Sequence, residues 1–277
     1  MRILISADME GATGVTWPAD VEPGNPQWQH FRTLLTGDVN AAVDGLRAGG
    51  ADTVLVNDAH STMRNVQVQQ LSPGAALLTG RHKTLSMLEG IQDPEVGGVV
   101  FLGYHVGAGA DGVLAHTYLP NSITEVRVDG EPAGEGRLNA LVAAEFGVPV
   151  ILVTGDDMTC ADAASYVPGA RTAAVKDHVS RYAAVCRPPS DTSALIRERA
   201  QEAMSSAGRR SRPEPSGHDV EVEFDAAHLA EAATLIPGVK RIDVRRVTYR
   251  SESAYDMIRC FKALTVVVSA AVEALYG

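Results

Sequence analysis

Residues 1–11 read MRILISADMEG and indicate the kind of sheet that the chain forms. Its apolar run, RILISA at 2–7, has the length and composition of a strand buried on both faces of a sheet, and it ends abruptly at Asp8. Comparable runs occur at 53–57 (TVLVN), 99–104 (VVFLGY) and 148–154 (VPVILVT). Because helical stretches separate these runs, the pattern predicts parallel strands joined in β-α-β units.

The segments between the strands predict one long helix, one long loop and a hairpin. Apolar residues recur at helical spacing over 31–46, and the Gly49-Gly50 pair ends that helix. The preceding stretch, 11–31, is rich in Gly, Pro and polar residues and predicts a loop. Residues 124–128 run into Asp129-Gly130, and this dipeptide predicts a hairpin because it suits a type I′ turn.

The C-terminal part of the chain predicts a smaller second unit. Residues 208–217 (GRRSRPEPSG) are charged and carry two prolines, so they are the best candidate for a linker. Beyond it we expect a strand at 219–224, a helix at 226–235, a strand at 241–249 and a long helix at 254–276. The predicted fold is α/β: an open, mostly parallel sheet flanked by helices in a catalytic domain over 1–207, and a C-terminal α+β region over 218–277.

Composition limits the classes of partner. The chain has 277 residues, with 24 Lys and Arg against 34 Asp and Glu, so its formal net charge is −10. This acidic excess argues against nucleic acid, because phosphate binding requires clustered positive charge. Three widely spaced cysteines without a CxxC pair favour a reducing compartment. Because neither a signal peptide nor a membrane span is recognisable, we predict a cytoplasmic protein that binds no membrane.

Polar side chains follow each of the four predicted strands. In an open parallel sheet, ligands bind beyond the carboxyl ends of the strands. The residues found there are Asp8 and Glu10, then Asp58 and His60, then His105, then Asp156 and Asp157. His116 and Glu135 lie between the third and fourth strands, close enough in sequence to fold over the same edge. Each residue alone has an ordinary explanation, such as a helix cap or a turn, but their recurrence at one edge predicts a shared site.

The residue types at this edge predict a metal centre. Carboxylates side by side repel one another, so such a site needs a cation or protons. Carboxylate oxygens and neutral imidazole nitrogens suit zinc or a divalent metal of similar hardness. The candidate ligands outnumber the positions of one tetrahedral zinc, so we expect two metals that hold a hydroxide between them for hydrolysis. Asp58 either orients a ligand histidine or forms an ordinary turn, and the sequence favours neither role.

Six motifs in one order resemble the DppA-type D-aminopeptidases. They are SADMEGATGV at 6–15, VNDAHS at 56–61, FLGYHVGAGADGVLAHT at 101–117, GEPAGEGRLNA at 130–140, VTGDD at 153–157 and AAVKDHVSR at 173–181. Members of this family are zinc metallopeptidases that remove D-amino acids from the N-termini of short peptides. The resemblance runs in register from residue 1 to about residue 181 and is looser beyond it.

The resemblance implies roles for individual residues. The ligands of two zinc ions per chain would be Asp8, Glu10, His60, His105 and Glu135. His116 would act in catalysis, either as a proton shuttle or as a stabiliser of the oxyanion. The family also assembles into rings of five that stack into a decamer, so the resemblance implies a homo-oligomer. The preference for D-residues, D-Ala in particular, rests on the resemblance alone.

Two other functions fit parts of the sequence. The segment DMEGAT at 8–13 resembles the DxDGT loop of haloacid dehalogenase-like magnesium phosphatases, and GDD at 155–157 resembles their later acidic motif. However, Glu10 stands where the second Asp is expected, and the histidines of the predicted site have no role in such an enzyme. The other alternative is a peptide-binding module with an inactive metal site, although no ligand or proton-transfer residue is missing here.

Overall fold

Two β-sheets organise the chain, and the computed structural model describes residues 1–273. The strands, in chain order, are β1 (Arg2–Ala7), β2 (Thr53–Asp58), β3 (Ala75–Leu78), β4 (Val96–Leu102), β5 (Ile123–Val128), β6 (Glu131–Pro132), β7 (Val150–Asp156), β8 (Arg171–Ser180), β9 (Ala183–Cys186), β10 (His218–Phe224), β11 (Lys240–Arg241) and β12 (Arg246–Ser251). The helices are α1 (Pro18–Val21), α2 (Pro26–Ala48), α3 (Glu135–Glu145), α4 (Asp157–Tyr166), α5 (Pro189–Ala203), α6 (Ala227–Ala233) and α7 (Ala254–Ser269).

The larger sheet has seven strands in the order β3-β2-β1-β4-β7-β8-β9. Every neighbouring pair is parallel except β8 and β9, which are antiparallel. From β1 the chain builds outward through β2 and β3 on one side, and then through β4, β7 and β8 on the other. The strand order therefore reverses between β1 and β4, and the crevice beyond their carboxyl ends is where such a sheet binds ligands.

The smaller sheet is antiparallel, with the order β11-β12-β10-β5-β6. Its β5–β6 hairpin turns at Asp129 and Gly130, which have φ values of 53° and 84° as a type I′ turn requires. The hairpin predicted from this dipeptide is confirmed. The α/β class, with a mostly parallel sheet flanked by helices, is confirmed as well.

Apolar side chains pack on both faces of the larger sheet, because its strands alternate between two cores. One core joins strand residues such as Ile5 and Val56 to Leu35 of α2 and Ile196 of α5. The opposite core joins Leu4, Val99 and Phe101 to α3, α7 and the inner face of the smaller sheet. Strands buried on both faces explain the continuous apolar runs in the sequence. They also leave the strand ends as the natural place for polar side chains.

The helix after β1 differs from the prediction. It begins at Pro26 rather than at residue 31, and a short helix, α1, precedes it, so the loop predicted for 11–31 is wrong in its second half. Pro26 occupies the first turn of α2, where proline is tolerated because its missing N–H would be unpaired there anyway. Trp28 is buried on this added turn.

Boundaries also differ elsewhere in the chain. The first residue of β4 is Val96 rather than residue 99. The strand predicted over 241–249 is a hairpin of β11 and β12, because Ile242 N–H bonds to Arg246 O and closes a turn. Helix α7 ends at Ser269, and the predicted end at 276 lies outside the described residues. The division of the chain into two units at residues 208–217 stays a prediction.

Among the helices of residues 1–273, none combines the length and apolarity that a bilayer crossing requires.

Candidate metal centre

Six polar side chains meet where β1, β2 and β4 end. Three are carboxylates and three are imidazoles, namely Asp8, Glu10, Glu135, His60, His105 and His116. The three strand ends supply four of them, the first residue of α3 supplies Glu135, and the connection between β4 and β5 supplies His116. All six are at most 9% exposed. Of the residues that the sequence places at this edge, the structure thus brings together all but Asp58, Asp156 and Asp157.

The distances define overlapping sets of ligand atoms. His60 Nδ1 lies 3.3 Å from Asp8 Oδ1 and 3.0 Å from Glu10 Oε2. On the other side of Asp8, His105 Nε2 lies 3.4 Å from Asp8 Oδ2 and 3.6 Å from Glu135 Oε1. Within each set the donor atoms all lie within 4.8 Å of one another, and Asp8 belongs to both. This arrangement suits two ions that share one carboxylate.

His116 packs against the cluster from one side. Its ring stacks on that of His105, with centroids 4.2 Å apart and planes 5° from parallel. Its Nε2 lies 3.8 Å from Glu10 Oε1 and 3.9 Å from Glu135 Oε1, and with Glu10 and His105 it forms a third set. His116 therefore faces a carboxylate of each metal set, at a longer distance than the other two histidines.

Backbone carbonyls fix the orientation of all three imidazoles. In each ring, the nitrogen that faces away from the cluster bonds to a carbonyl oxygen: His60 Nε2 to Val21 O at 2.8 Å, His105 Nδ1 to Val106 O at 2.9 Å and His116 Nδ1 to Leu114 O at 2.8 Å. A carbonyl can only accept, so the far nitrogen carries the proton. The neutral ring then presents a lone pair to the cluster, as metal-ligating histidines do.

The carboxylates therefore face nitrogen lone pairs, and acceptors that face each other need a cation or extra protons between them. Asp8 Oδ2, Glu10 Oε2 and His105 Nε2 are buried without a hydrogen-bond partner in residues 1–273. Each buried acceptor of this kind costs on the order of 1–3 kcal/mol when nothing satisfies it. A mixed oxygen and nitrogen donor set of this composition fits zinc.

Without a metal, the cluster has perturbed pKa values. Burial lowers the pKa of His105, but the nearby carboxylates, Glu135 first, outweigh burial and raise it to about 10. Burial and the negative charge of Glu10 raise the pKa of Asp8 to about 7. Burial and the positive charge of His105 lower the pKa of His116. Protons thus occupy the places that a cation would take.

Glycines allow the ligand-bearing segments to touch. Gly107, two residues after His105, lies against Gly134, which directly precedes Glu135, and a Cβ on either residue would lie 2.8 Å from the Cα of the other. At the switch point, Gly11 N–H donates to Gly103 O at 2.8 Å, and a Cβ on Gly11 would lie 1.9 Å from the Tyr104 carbonyl oxygen. These close contacts, which the sequence did not reveal, bring His105 to within reach of Asp8 and Glu135.

Asp58 holds the loop that carries His60. Its carboxylate accepts hydrogen bonds from Asn65 N at 2.5 Å, Val66 N at 2.7 Å and Asn65 Nδ2 at 2.9 Å. Asn65 Nδ2 also donates to His60 O at 2.7 Å. Of the two roles left open for Asp58, the structure therefore shows the turn, because its carboxylate contacts two loop backbone amides and the Asn65 side chain, and no imidazole.

The carboxylates after β7 do not join the metal sets formed by the described residues. Asp156 Oδ1 accepts from Thr159 N at 2.7 Å and caps α4, while its Oδ2 accepts from Val113 N at 2.7 Å. Asp157 Oδ1 accepts from His178 N at 2.6 Å. The expectation that this strand end contributes to the site is wrong, since α4 begins immediately after β7 and its N-terminus takes the carboxylate.

An open α/β sheet that gathers carboxylates and imidazoles at its switch point defines a metal-dependent hydrolase. Residues 1–263 match the Peptidase_M55 family, described as D-aminopeptidase, and the chain belongs to this family. A D-aminopeptidase of Bacillus subtilis (strain 168) is 34% identical over 274 residues, which cover 99% of this chain and 98% of that protein. A solved structure of the Zn-dependent D-aminopeptidase DppA from Bacillus subtilis, a self-compartmentalizing protease, has a TM-score of 0.93 at 30% identity and covers 99% of this chain and 100% of that chain. The resemblance inferred from the motifs is confirmed.

Proposed function

We propose that this protein is a zinc-dependent aminopeptidase that removes N-terminal D-residues, D-Ala in particular, from short peptides. The observation that carries this proposal is that three buried atoms of the cluster, Asp8 Oδ2, Glu10 Oε2 and His105 Nε2, have no hydrogen-bond partner within residues 1–273 and so call for a cation. The family supplies the reaction, since its members are D-aminopeptidases. The Bacillus subtilis relative of known structure is Zn-dependent.

The chain provides ligands for two zinc ions. Asp8, Glu10 and His60 would hold one ion, and Asp8, His105 and Glu135 would hold the other. When bound, zinc polarises the scissile carbonyl and lowers the pKa of water toward ~7, so that a nucleophile exists at neutral pH. The protein's own contribution is to hold these side chains in place before the metal arrives, through the carbonyls behind each imidazole and the glycine contacts between the loops.

His116 is the proposed proton carrier. Its lowered pKa keeps it neutral near pH 7, and the bond from Nδ1 to Leu114 O leaves a lone pair on Nε2. A neutral ring in this tautomer accepts a proton at Nε2 and cannot donate one there to an oxyanion. Of the two roles that the sequence left open, we therefore propose the shuttle: Nε2 takes a proton as water attacks and passes it to the leaving amine.

The test compares zinc-loaded protein on a D-alanyl peptide and on its L-alanyl counterpart. We expect release of D-alanine, and little release from the L-peptide. His116→Ala should lose turnover with its zinc content unchanged. His178→Ala, which removes a half-buried histidine of β8 outside the cluster, is the matched control and should retain activity. Equal loss in both variants, or no hydrolysis by the zinc-loaded wild type, would overturn the proposal.

The two alternatives lose support from specific contacts. A phosphatase of the haloacid dehalogenase type would need Asp156 beside its magnesium, but this carboxylate caps α4 and binds the Val113 amide. An inactive binding module would lack part of the constellation, whereas all six side chains are present and converge. Release of phosphate from p-nitrophenyl phosphate with magnesium would restore the first alternative, and tight peptide binding without cleavage the second.

We also propose that the protein works as a homo-oligomer in the cytoplasm. The Bacillus subtilis relative is a self-compartmentalizing protease, which supports assembly of this chain, with two stacked rings of five as the specific proposal. Cys160, Cys186 and Cys260 are free thiols, in keeping with a reducing compartment. Sedimentation of the purified protein tests the assembly: a decamer is expected, and a monomer at micromolar concentration contradicts it.

A further inference from the structure

We propose that Lys176, from β8, is a positioning residue of the metal centre, because its ammonium group holds the loop after β1 and thereby aims Glu10 at the metals. The inference rests on the proposed function, since it takes Glu10 as a ligand. Lys176 belongs to the AAVKDHVSR motif at 173–181, in which no feature of the sequence indicates its role. It is 0% exposed, which is unusual for a lysine.

Three backbone carbonyls surround the ammonium group. Lys176 Nζ donates to Glu10 O at 2.6 Å, to Ala12 O at 3.0 Å and to Val15 O at 2.6 Å. An ammonium has three N–H groups, so these bonds use all of them. The three acceptors belong to one loop, and the first is the carbonyl of the ligand residue itself. Lys176 therefore fixes the backbone from which the Glu10 side chain extends.

A second contact holds the same loop from the opposite element. Thr13 N donates to Asp38 Oδ2 at 2.8 Å, and Thr13 Oγ1 donates to Asp38 Oδ1 at 2.8 Å. Asp38 belongs to α2, so the loop is held between β8 and α2. With both anchors in place, the segment from Glu10 to Val15 has little freedom to move, although it contains no strand or long helix.

The position of Lys176 follows from an irregularity in β8. The register of β7 and β8 shifts between Gly155, which faces Ala174, and Asp156, which faces Lys176. This shift places Lys176 level with Asp156 at the carboxyl end of β7, where the loop after β1 reaches its ammonium group. A fully buried ammonium carries a large desolvation penalty even when its N–H groups are bonded. An apolar side chain would fill the same space without this desolvation penalty, so the presence of an ammonium group indicates a role other than packing.

Lys176→Met tests this role, because methionine is similar in length and lacks the ammonium group. We expect zinc affinity, measured by competition with a chromogenic chelator, to fall by about tenfold to a hundredfold, as when a residue that orients metal ligands is lost. At saturating zinc, kcat should fall while KM changes little. The control is Ile3→Ala. Ile3 lies near the start of β1, the strand that ends beside Asp8, and is roughly 17 Å from Asp8. Ile3 is fully buried, so this variant loses stability through packing and should keep the zinc affinity of the wild type.

The outcomes separate the inference from the proposed function. Wild-type protein that binds no zinc would refute both. If the wild type binds zinc and the zinc affinity of Lys176→Met is unchanged, or changes only as much as that of Ile3→Ala, the positioning role alone is refuted. If Lys176→Met does not fold, Lys176→Gln keeps a polar group, and the visible spectrum of its cobalt-loaded form reports the ligand geometry. A spectrum different from that of cobalt-loaded wild type and Ile3→Ala supports the role, and an identical spectrum overturns it.

Discussion

Gly134→Ala should damage the metal centre without touching a ligand. The backbone of Gly134 has φ −88° and ψ −175°, which alanine adopts freely, so the substitution carries no conformational strain. The obstacle is purely steric, since a Cβ at this position would lie 2.8 Å from both Cα and N of Gly107. Ordinary contacts begin at 3.4 Å, so the two segments must separate by the difference between these distances. Both neighbouring atoms are backbone and cannot rotate away.

The expected size of the effect follows from that separation. Where space is available, Gly→Ala stabilises a protein by about 0.4–1 kcal/mol through the unfolded state. Overpacking costs about 1–3 kcal/mol, so Gly134→Ala should be destabilising overall. The separation also moves Glu135 away from His105, whose Nε2 lies 3.6 Å from its carboxylate. Because a displacement of about 1 Å can cost roughly a hundredfold in rate, we expect kcat/KM to fall by more than about tenfold.

Chemical denaturation, zinc competition and peptide hydrolysis measure the three consequences. The matched control is Gly37→Ala in α2, where the added Cβ has open space and replaces a helical glycine, so a gain of about 1 kcal/mol is expected with unchanged activity. A Gly134→Ala protein as stable and as active as the wild type would refute the argument that the Gly107–Gly134 contact sets the distance between His105 and Glu135.

Other predictions concern protons and the His60 loop. Zinc binding at pH 7 should release protons, because carboxylates raise the pKa values of His60 and His105 despite burial. Calorimetry in buffers of different ionisation enthalpy measures this release. The absence of any proton release would contradict the assignment of these two histidines as ligands. The metal-free protein should lose stability as the pH rises from 6.5 to about 10. Folding raises the pKa of His105, so protonation of His105 stabilises the folded state fully below the unfolded-state pKa of 6.5. This stabilisation is lost as the pH rises through the folded-state pKa of about 10. Asp58→Asn should destabilise by about 1–3 kcal/mol in urea unfolding, because an NH2 group replaces one carboxylate oxygen and every donor bonded to that oxygen loses its acceptor; no change would exclude the loop-holding role. Chelation should abolish activity and added zinc restore it, whereas activity that survives in metal-free protein would exclude the metal centre.

The sequence was sufficient for the sheet and for most of the site because both depend on local patterns. A run such as RILISA identifies its own strand, and the chain order of strands and helices places Asp8, His60 and His105 at one edge. Helix α2 was harder, because the polar residues after Pro26 hide its first turn. Asp156 was indistinguishable from a ligand, since a helix cap and a metal ligand use the same carboxylate.

The remaining features depend on tertiary contacts that leave no local pattern. Lys176 bonds to backbone carbonyls, which every residue has, so its partners cannot be recognised from side chains. Likewise Gly107 and Gly134 look like loop glycines until their segments are seen in contact. The tautomer of each histidine depends on a carbonyl such as that of Val21, whose position only the fold determines.

Zinc content per chain tests whether Asp8 is shared by two ions. The protein should be purified without a histidine tag, saturated with zinc, freed of excess metal and measured by plasma mass spectrometry against protein concentration. Two zinc ions per chain is the predicted result, with one lost in His60→Ala because that residue serves a single set. A wild-type chain that retains no zinc, or a single ion unaffected by His60→Ala, would show that Asp8 is not shared by two ions.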